Sequence, residues 1–206
     1  MDALTLQILE LFKNTPAQAL TIHHTSKLLK RTYPFVYKKV NQLIASNILN
    51  RKEVGRAHEV WPNLKNERTV LYFALNDEQQ KERYLKRSSI RGALQDLVEK
   101  IKRNSAVQAI VLFGSHAKGK ETKKSDIDIL VITAAKAREI DQFVLSIANT
   151  VNMVFGCQIN PLIVDNEMFK EMLTKPEELN VGKETLNAHV ILCGFEHFWI
   201  LVGDAL

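Results

Sequence analysis

The sequence predicts a protein of the α/β (α+β) class built as two small domains, a helical front ending in a hairpin and a back domain with a mixed sheet flanked by helices. Three observations predict it. Apolar residues recur at helical spacing through the first 46 positions. Two near-continuous apolar runs, Ala109-Ile110-Val111-Leu112-Phe113 and Ile129-Leu130-Val131-Ile132, read as buried strands. After them helical and strand-like segments alternate, as helices covering a sheet require. At 206 residues, 46% of them hydrophobic, the chain can bury two modest cores.

In chain order, Leu4, Ile8 and Leu11 mark a first helix. Positions 21–29 read as a short helix with Thr21 as N-cap, and 32–46 as a longer one that tolerates Pro34 in its first turn. On that third helix Val36, Val40, Leu43 and Ile44 form the inner stripe, leaving Tyr33, Tyr37, Lys38, Asn41 and Gln42 outward. Positions 48–54 and 69–75 are strand-like, joined by a long loop with Gly55, Arg56, His58, Trp61, Lys65 and Arg68. Positions 77–104 read as a charged helical stretch interrupted near Ser88-Ser89. Its first part has few apolar residues, whereas Ile90, Leu94, Leu97, Val98 and Ile101 present one apolar face to the sheet. Further on, Ile140, Val144, Ile147 and Val151 mark a helix, 157–164 a strand, and 167–173 a helix with Asp165 as N-cap. A short strand at 189–192 and a closing helix at 195–202, with Trp199 in the core, complete the reading. The expected boundaries are 1–76, a helical connector 77–89, and 90–206.

Charge is unequally shared. Of 28 Lys and Arg and 23 Asp and Glu, residues 1–75 hold 11 and 5, leaving 17 and 18 for the rest, so the net +5 belongs to the front. Such a surplus is the footprint of a phosphate-rich partner, or else a solvated basic face. No stretch approaches the roughly 18 apolar residues of a membrane span, and a start carrying Asp2 and Glu10 does not read as a signal peptide. A cytoplasmic protein without a membrane partner is therefore expected. Cys157 and Cys193 are far apart and suggest neither zinc nor a disulfide framework.

Three helices followed by a basic hairpin resemble a winged helix-turn-helix domain over 1–76. That resemblance implies double-stranded DNA as partner, with the third helix in the major groove and the wing on the backbone. Tyr33, Tyr37, Lys38, Arg51, Lys52 and Arg56 are the candidate contacts, the basic ones supplying affinity more than sequence reading. The same arrangement also serves protein docking or homodimerisation.

The chemistry is concentrated between the two apolar runs. Asp126 and Asp128 stand two apart, so on a strand their carboxylates share one face while Ile127 and Ile129 fill the other. Neighbouring carboxylates repel unless a cation lies between them. Separated from Asp126 by ten residues, Gly114-Ser115 forms a turn that lets backbone N–H groups approach a phosphate and adds a hydroxyl. Together, positions 111–132 resemble the signature of the nucleotidyltransferases related to DNA polymerase beta, especially their small minimal branch, with a weaker likeness over 90–206. The resemblance implies a nucleoside triphosphate, ATP by preference, bound by Gly114, Ser115, Lys118 and Ser125. It also implies Mg2+ or Mn2+ on the catalytic pair Asp126 and Asp128, and transfer of the nucleotidyl group to a hydroxyl acceptor. Lys118, Lys120, Lys123 and Lys124 would steer the triphosphate. Members of that branch often work with a separate helical protein partner.

Two features depart from the family pattern. Where relatives commonly carry Arg and then Arg-Gly-Glu, this chain has His116 and Lys118-Gly119-Lys120. The strand at 157–164, which usually supplies a third carboxylate, offers only Gln158 and Asn160, while Asp165 lies about 16 Å further along. Two functions follow: a nucleotidyltransferase docked by its front domain, or a DNA-binding regulator whose back domain senses nucleotide with catalysis lost.

Overall fold

The structure, a computed structural model, describes residues 2–55, 57–122, 124–175 and 181–206. Arg56 and Lys123, two of the candidate phosphate contacts, lie outside the described residues. The chain divides into two units, Met1–Phe73 with Leu206, and Ala74–Ala205.

In the first unit, α1 (Ala3–Glu10) begins at Asp2, whose carboxylate accepts from the Thr5 backbone N–H at 3.1 Å. Lys39 also hydrogen-bonds Asp2, and these donors hold its carboxyl well below the usual carboxylate range. A two-residue strand β1 (Leu20–Thr21) leads into α2 (Ile22–Leu28), where the Thr21 hydroxyl accepts from His24 N at 3.1 Å as the capping pattern predicts. In α3 (Tyr33–Ala45), Val36, Val40 and Leu43 are buried, spaced so that one face meets the core. Strands β2 (Leu49–Val54) and β3 (Ala57–Pro62) then pair antiparallel from Leu49↔Pro62 to Val54↔Ala57. Gly55, at φ +60°, opens the tight turn between them. β1 adds to the free edge of β3, giving the order β1-β3-β2.

The strand expected at 69–75 is instead helix. The second hairpin strand is β3, inside the segment expected to be a loop, and 69–75 belongs to α4 (Glu67–Arg87). The Asn66 carbonyl accepts from Thr69 N and Val70 N and starts the helix. Thr69, Val70, Phe73 and Asp77 are buried, a helical spacing; a strand would have alternated. An apolar run of seven residues does not by itself distinguish the two.

In the second unit α4 stops at Arg87, and Ser88–Ile90 break the helix before α5 (Arg91–Ile101), which buries Ala93, Leu94, Leu97 and Ile101. β4 (Val107–Leu112), the single turn α6 (Gly114–Ala117), β5 (Ile127–Thr133), α7 (Ala137–Phe155) and β6 (Ile159–Asp165) follow. After α8 (Asn166–Thr174) come α9 (Val181–Asn187), β7 (Val190–Cys193) and α10 (Phe195–Ala205). The sheet runs β6-β5-β4-β7, with β5 and β6 parallel and the other pairs antiparallel. It is the mixed sheet flanked by helices that the sequence predicts. α7 is the crossover a parallel pair needs, and it packs Ile140, Val144, Ala148 and Val151 into a core shared with α5 and the sheet. Asp165 caps α8 through Met168 N at 2.9 Å. On the far side, the buried Trp199 donates its indole N–H to Asp77 at 2.7 Å, and His189 lies 3.5 Å from the same carboxylate. The sequence reading did not foresee β1, α6 or α9.

Candidate active site

The site forms where β4 ends beside the start of β5. Phe113 N donates to Asp128 O at 3.0 Å, which extends the strand pairing one residue past β4 and sets the next residue, Gly114, beside Asp128. Gly114 has φ +69°, and a Cβ there would stand 2.2 Å from Asp128 Oδ2. Only glycine fits this position, because any side chain would collide with the carboxylate and occupy a strained backbone region. The Ser115 carbonyl accepts from Lys120 N at 3.0 Å and the Gly114 carbonyl from Lys118 N at 3.2 Å, closing the turn on itself.

Asp126 and Asp128 flank buried Ile127 (1% exposed), and both carboxyl groups are half-exposed, as the alternation of a strand dictates. Burial, then Asp126, then Glu184 push the Asp128 carboxyl above its ordinary value, opposed by His116 and Lys118. Asn160 stands opposite Asp128 in the parallel register of β5 and β6, and its side-chain amide donates to Asp126 Oδ2 at 3.1 Å. A neutral amide thus stands beside the acidic pair, where the sequence resemblance led one to expect a third carboxylate. Asp165 pairs with Thr133 at the far end of these strands, where it caps α8.

The remaining predicted ligands are dispersed around this pair. Ser125 accepts from Thr122 N at 2.9 Å and so ties the loop leading into Asp126. With Asp126, Thr122, Phe155 and Gln158 it lines a cavity of about 630 Å³. Lys118 reaches Glu184 of α9, at 2.5 Å. His116 is buried, at 6% exposure. Nothing near the motif announces Glu184; it lies 66 residues beyond Lys118 in the chain and only the fold brings it there.

Among the described residues no three His, Cys, Asp or Glu side chains converge as a metal cluster. Two neighbouring carboxylates still suit Mg2+, which keeps several waters and is commonly held by one or two carboxylates plus substrate phosphates.

In the first unit Tyr33 and Tyr37 are exposed and stack with ring centroids 5.6 Å apart. Lys38 is exposed beside them, and Phe35, absent from the predicted contacts, is the most exposed of the three aromatics at 55%. Arg51 and Lys52 are exposed neighbours on β2, so they project to opposite faces of the hairpin. Among the described residues no helix is long and apolar enough to cross a membrane.

Comparison with known proteins places the second unit in a lineage. The family model described as Polymerase beta, Nucleotidyltransferase matches residues 95–179. A curated protein of Methanocaldococcus jannaschii, named provisionally as a protein adenylyltransferase, is 30% identical over 86 residues, which are 41% of this chain and 81% of that protein. Among solved structures, a toxin-antitoxin with AMP-PNP has a TM-score of 0.39 at 18% identity, covering 54% of this chain and 84% of that one. A mutant of the toxin-antitoxin MntA-HpeT has a TM-score of 0.38 at 15% identity, with the same coverage of 54% and 84%. With Gly114, Ser115, Asp126 and Asp128 inside the matched stretch, and 81% of the adenylyltransferase-named relative aligned, the chain belongs to the polymerase beta nucleotidyltransferase family.

Proposed function

We propose that the protein binds a nucleoside triphosphate, ATP by preference, together with Mg2+ or Mn2+, and transfers the nucleotidyl group to a hydroxyl acceptor, while its first unit docks on DNA. The observation that carries this reading is the packing of the Gly114-Ser115 turn against Asp128, with Asp126 beside it. Gly114 and Ser115 receive the terminal phosphates, Lys118 adds a cation, and Asp126 and Asp128 hold the metal. When bound, that metal neutralises charge on the triphosphate and its leaving group. The acceptor oxygen attacks the α-phosphorus, the α–β bridging P–O bond breaks, and pyrophosphate leaves. Asn160 takes up no proton, so the acceptor proton passes to solvent, and transfer runs about 10² to 10⁴ slower than with a positioned base. The relative's name supports AMP as the transferred group and a protein side chain as the acceptor.

The first unit's element order, helix, short strand, two helices and a two-stranded hairpin, supports a winged helix-turn-helix. Exposed Tyr33, Tyr37 and Lys38 on α3 are suited to a DNA groove, and Arg51 or Lys52 to its backbone.

Incubation with α-labelled ATP, Mg2+ and a cell extract should yield a labelled macromolecule that depends on the added protein and is lost in Asp126→Asn. A second reading, a DNA-binding regulator that senses nucleotide, is favoured by the Asn160 amide on Asp126. Measurable ATP binding with no labelled product in any extract would establish that reading in place of the first.

A further inference from the structure

We propose that Glu184 tempers the affinity of the site for triphosphates: it clasps Lys118 at the end of the Gly114-Ser115 turn, and only a ligand whose phosphates reach that lysine competes with it. This rests on the reading that the turn receives a polyphosphate.

Both partners are placed by backbone that is fixed elsewhere. Lys118 caps the single turn α6, its N–H bonded to Gly114 O at 3.2 Å, so the lysine rides on the turn itself. Glu184 is carried by α9, whose other face buries Gly182, Thr185 and Leu186. The Thr185 carbonyl accepts from buried His189 Nδ1 at 2.8 Å, and His189 lies beside the Asp77 carboxylate that Trp199 also engages. A buried polar network thus anchors the helix that presents Glu184. The pair itself meets solvent, with side chains 38% and 40% exposed, so a ligand can compete for it.

Electrostatics gives the competition its direction. Asp126, Asp128 and Glu184 contribute negative charge around the turn, and Lys118 is one of the cations opposing it. A triphosphate that takes Lys118 leaves Glu184 without this partner. Because the pair is partly exposed, the loss amounts to about a two- to five-fold weakening of binding. Adenosine or AMP, which stop short of Lys118, leave the pair intact and incur no such loss.

The test is a set of titrations with ATP and with AMP, in Mg2+, on the full chain and on Glu184→Gln, Lys118→Ala and the double variant, each checked by thermal melting. Glu184→Gln should tighten ATP about two- to five-fold, leave AMP unmoved, and give no tightening when Lys118 is already Ala. Unchanged or weaker ATP binding by Glu184→Gln overturns the proposal, as does equal tightening of ATP and AMP, which would mark plain charge repulsion. Should Glu184→Gln unfold, Glu184→Ala carries the same comparison. ATP binding by none of the proteins refutes the nucleotide reading and this proposal with it; binding by the parent chain with no effect of Glu184 refutes this proposal alone.

Discussion

At the scale of single residues the site is a contest between a glycine and a carboxylate for one small volume. A methyl group at position 114 would lie 2.2 Å from Asp128 Oδ2 on a backbone at φ +69°, so Gly114→Ala must displace the aspartate and strain the turn. We expect a loss of about 1–3 kcal/mol in unfolding free energy, read from denaturant melts, together with loss of nucleotide binding. Asp128→Asn should act in the opposite sense on stability. The folded protein holds the Asp128 proton more tightly than the unfolded chain, where the carboxyl titrates near 3.8. Its ionisation therefore costs nothing below that pH and destabilises the metal-free fold increasingly as pH rises through the raised folded-state value. Asn should accordingly melt higher than the parent at neutral pH, show no such gain at about pH 3, and abolish transfer. A lower melting temperature at neutral pH would contradict the assigned repulsion. The pair Asp126 and Asp128 and the Gly114-Ser115 turn were legible from spacing, because alternation on a strand and the turn preference of glycine are local rules. Glu184 was not, since no local rule connects it to the motif.

At the scale of elements, β6 carries the residue on which the rate of the proposed transfer turns. Its parallel register with β5 sets Asn160 level with Asp128, and the amide bonds Asp126. Asn160→Asp places an ionisable group there, and under the proposed transfer the rate of labelling should rise at least about tenfold. The same change replaces a donor to Asp126 with a third like charge, so the metal-free variant should melt lower than the parent. No gain in rate, with ATP binding retained, would favour the sensor reading. The elements also show where pattern reading fails. Residues 69–75, expected as a strand, are helix, and the β3 segment, expected as a loop, is the second hairpin strand, because an apolar run with β-branched members suits a strand and a buried helix equally. The break near Ser88-Ser89 and the Asp165 cap were read correctly, since caps and breaks depend on neighbours a few residues away.

At the scale of the whole molecule the two units differ in charge. Residues 1–73 hold the same 11 basic and 5 acidic residues as the first 75, while the remainder is close to neutral. If that surplus serves duplex DNA, association will be salt-dependent and steered by the front unit. Lys38→Ala combined with Arg51→Ala should weaken duplex binding about equally for all sequences and lower the slope of log K against log salt by about 2. Absence of binding to any duplex at low salt would instead mark the exposed Tyr33, Phe35 and Tyr37 face as a protein-docking surface.

The sequence by itself determined the fold class, the turn and the acidic pair, all of which depend on periodicity or on residues a few positions apart. Tertiary structure alone decided that Asn160 bonds Asp126, that Glu184 grips Lys118, and that Gly114 has no room for a methyl group. Each of those contacts joins segments separated in the chain, and their geometry follows from strand register and helix packing, which only the assembled core fixes.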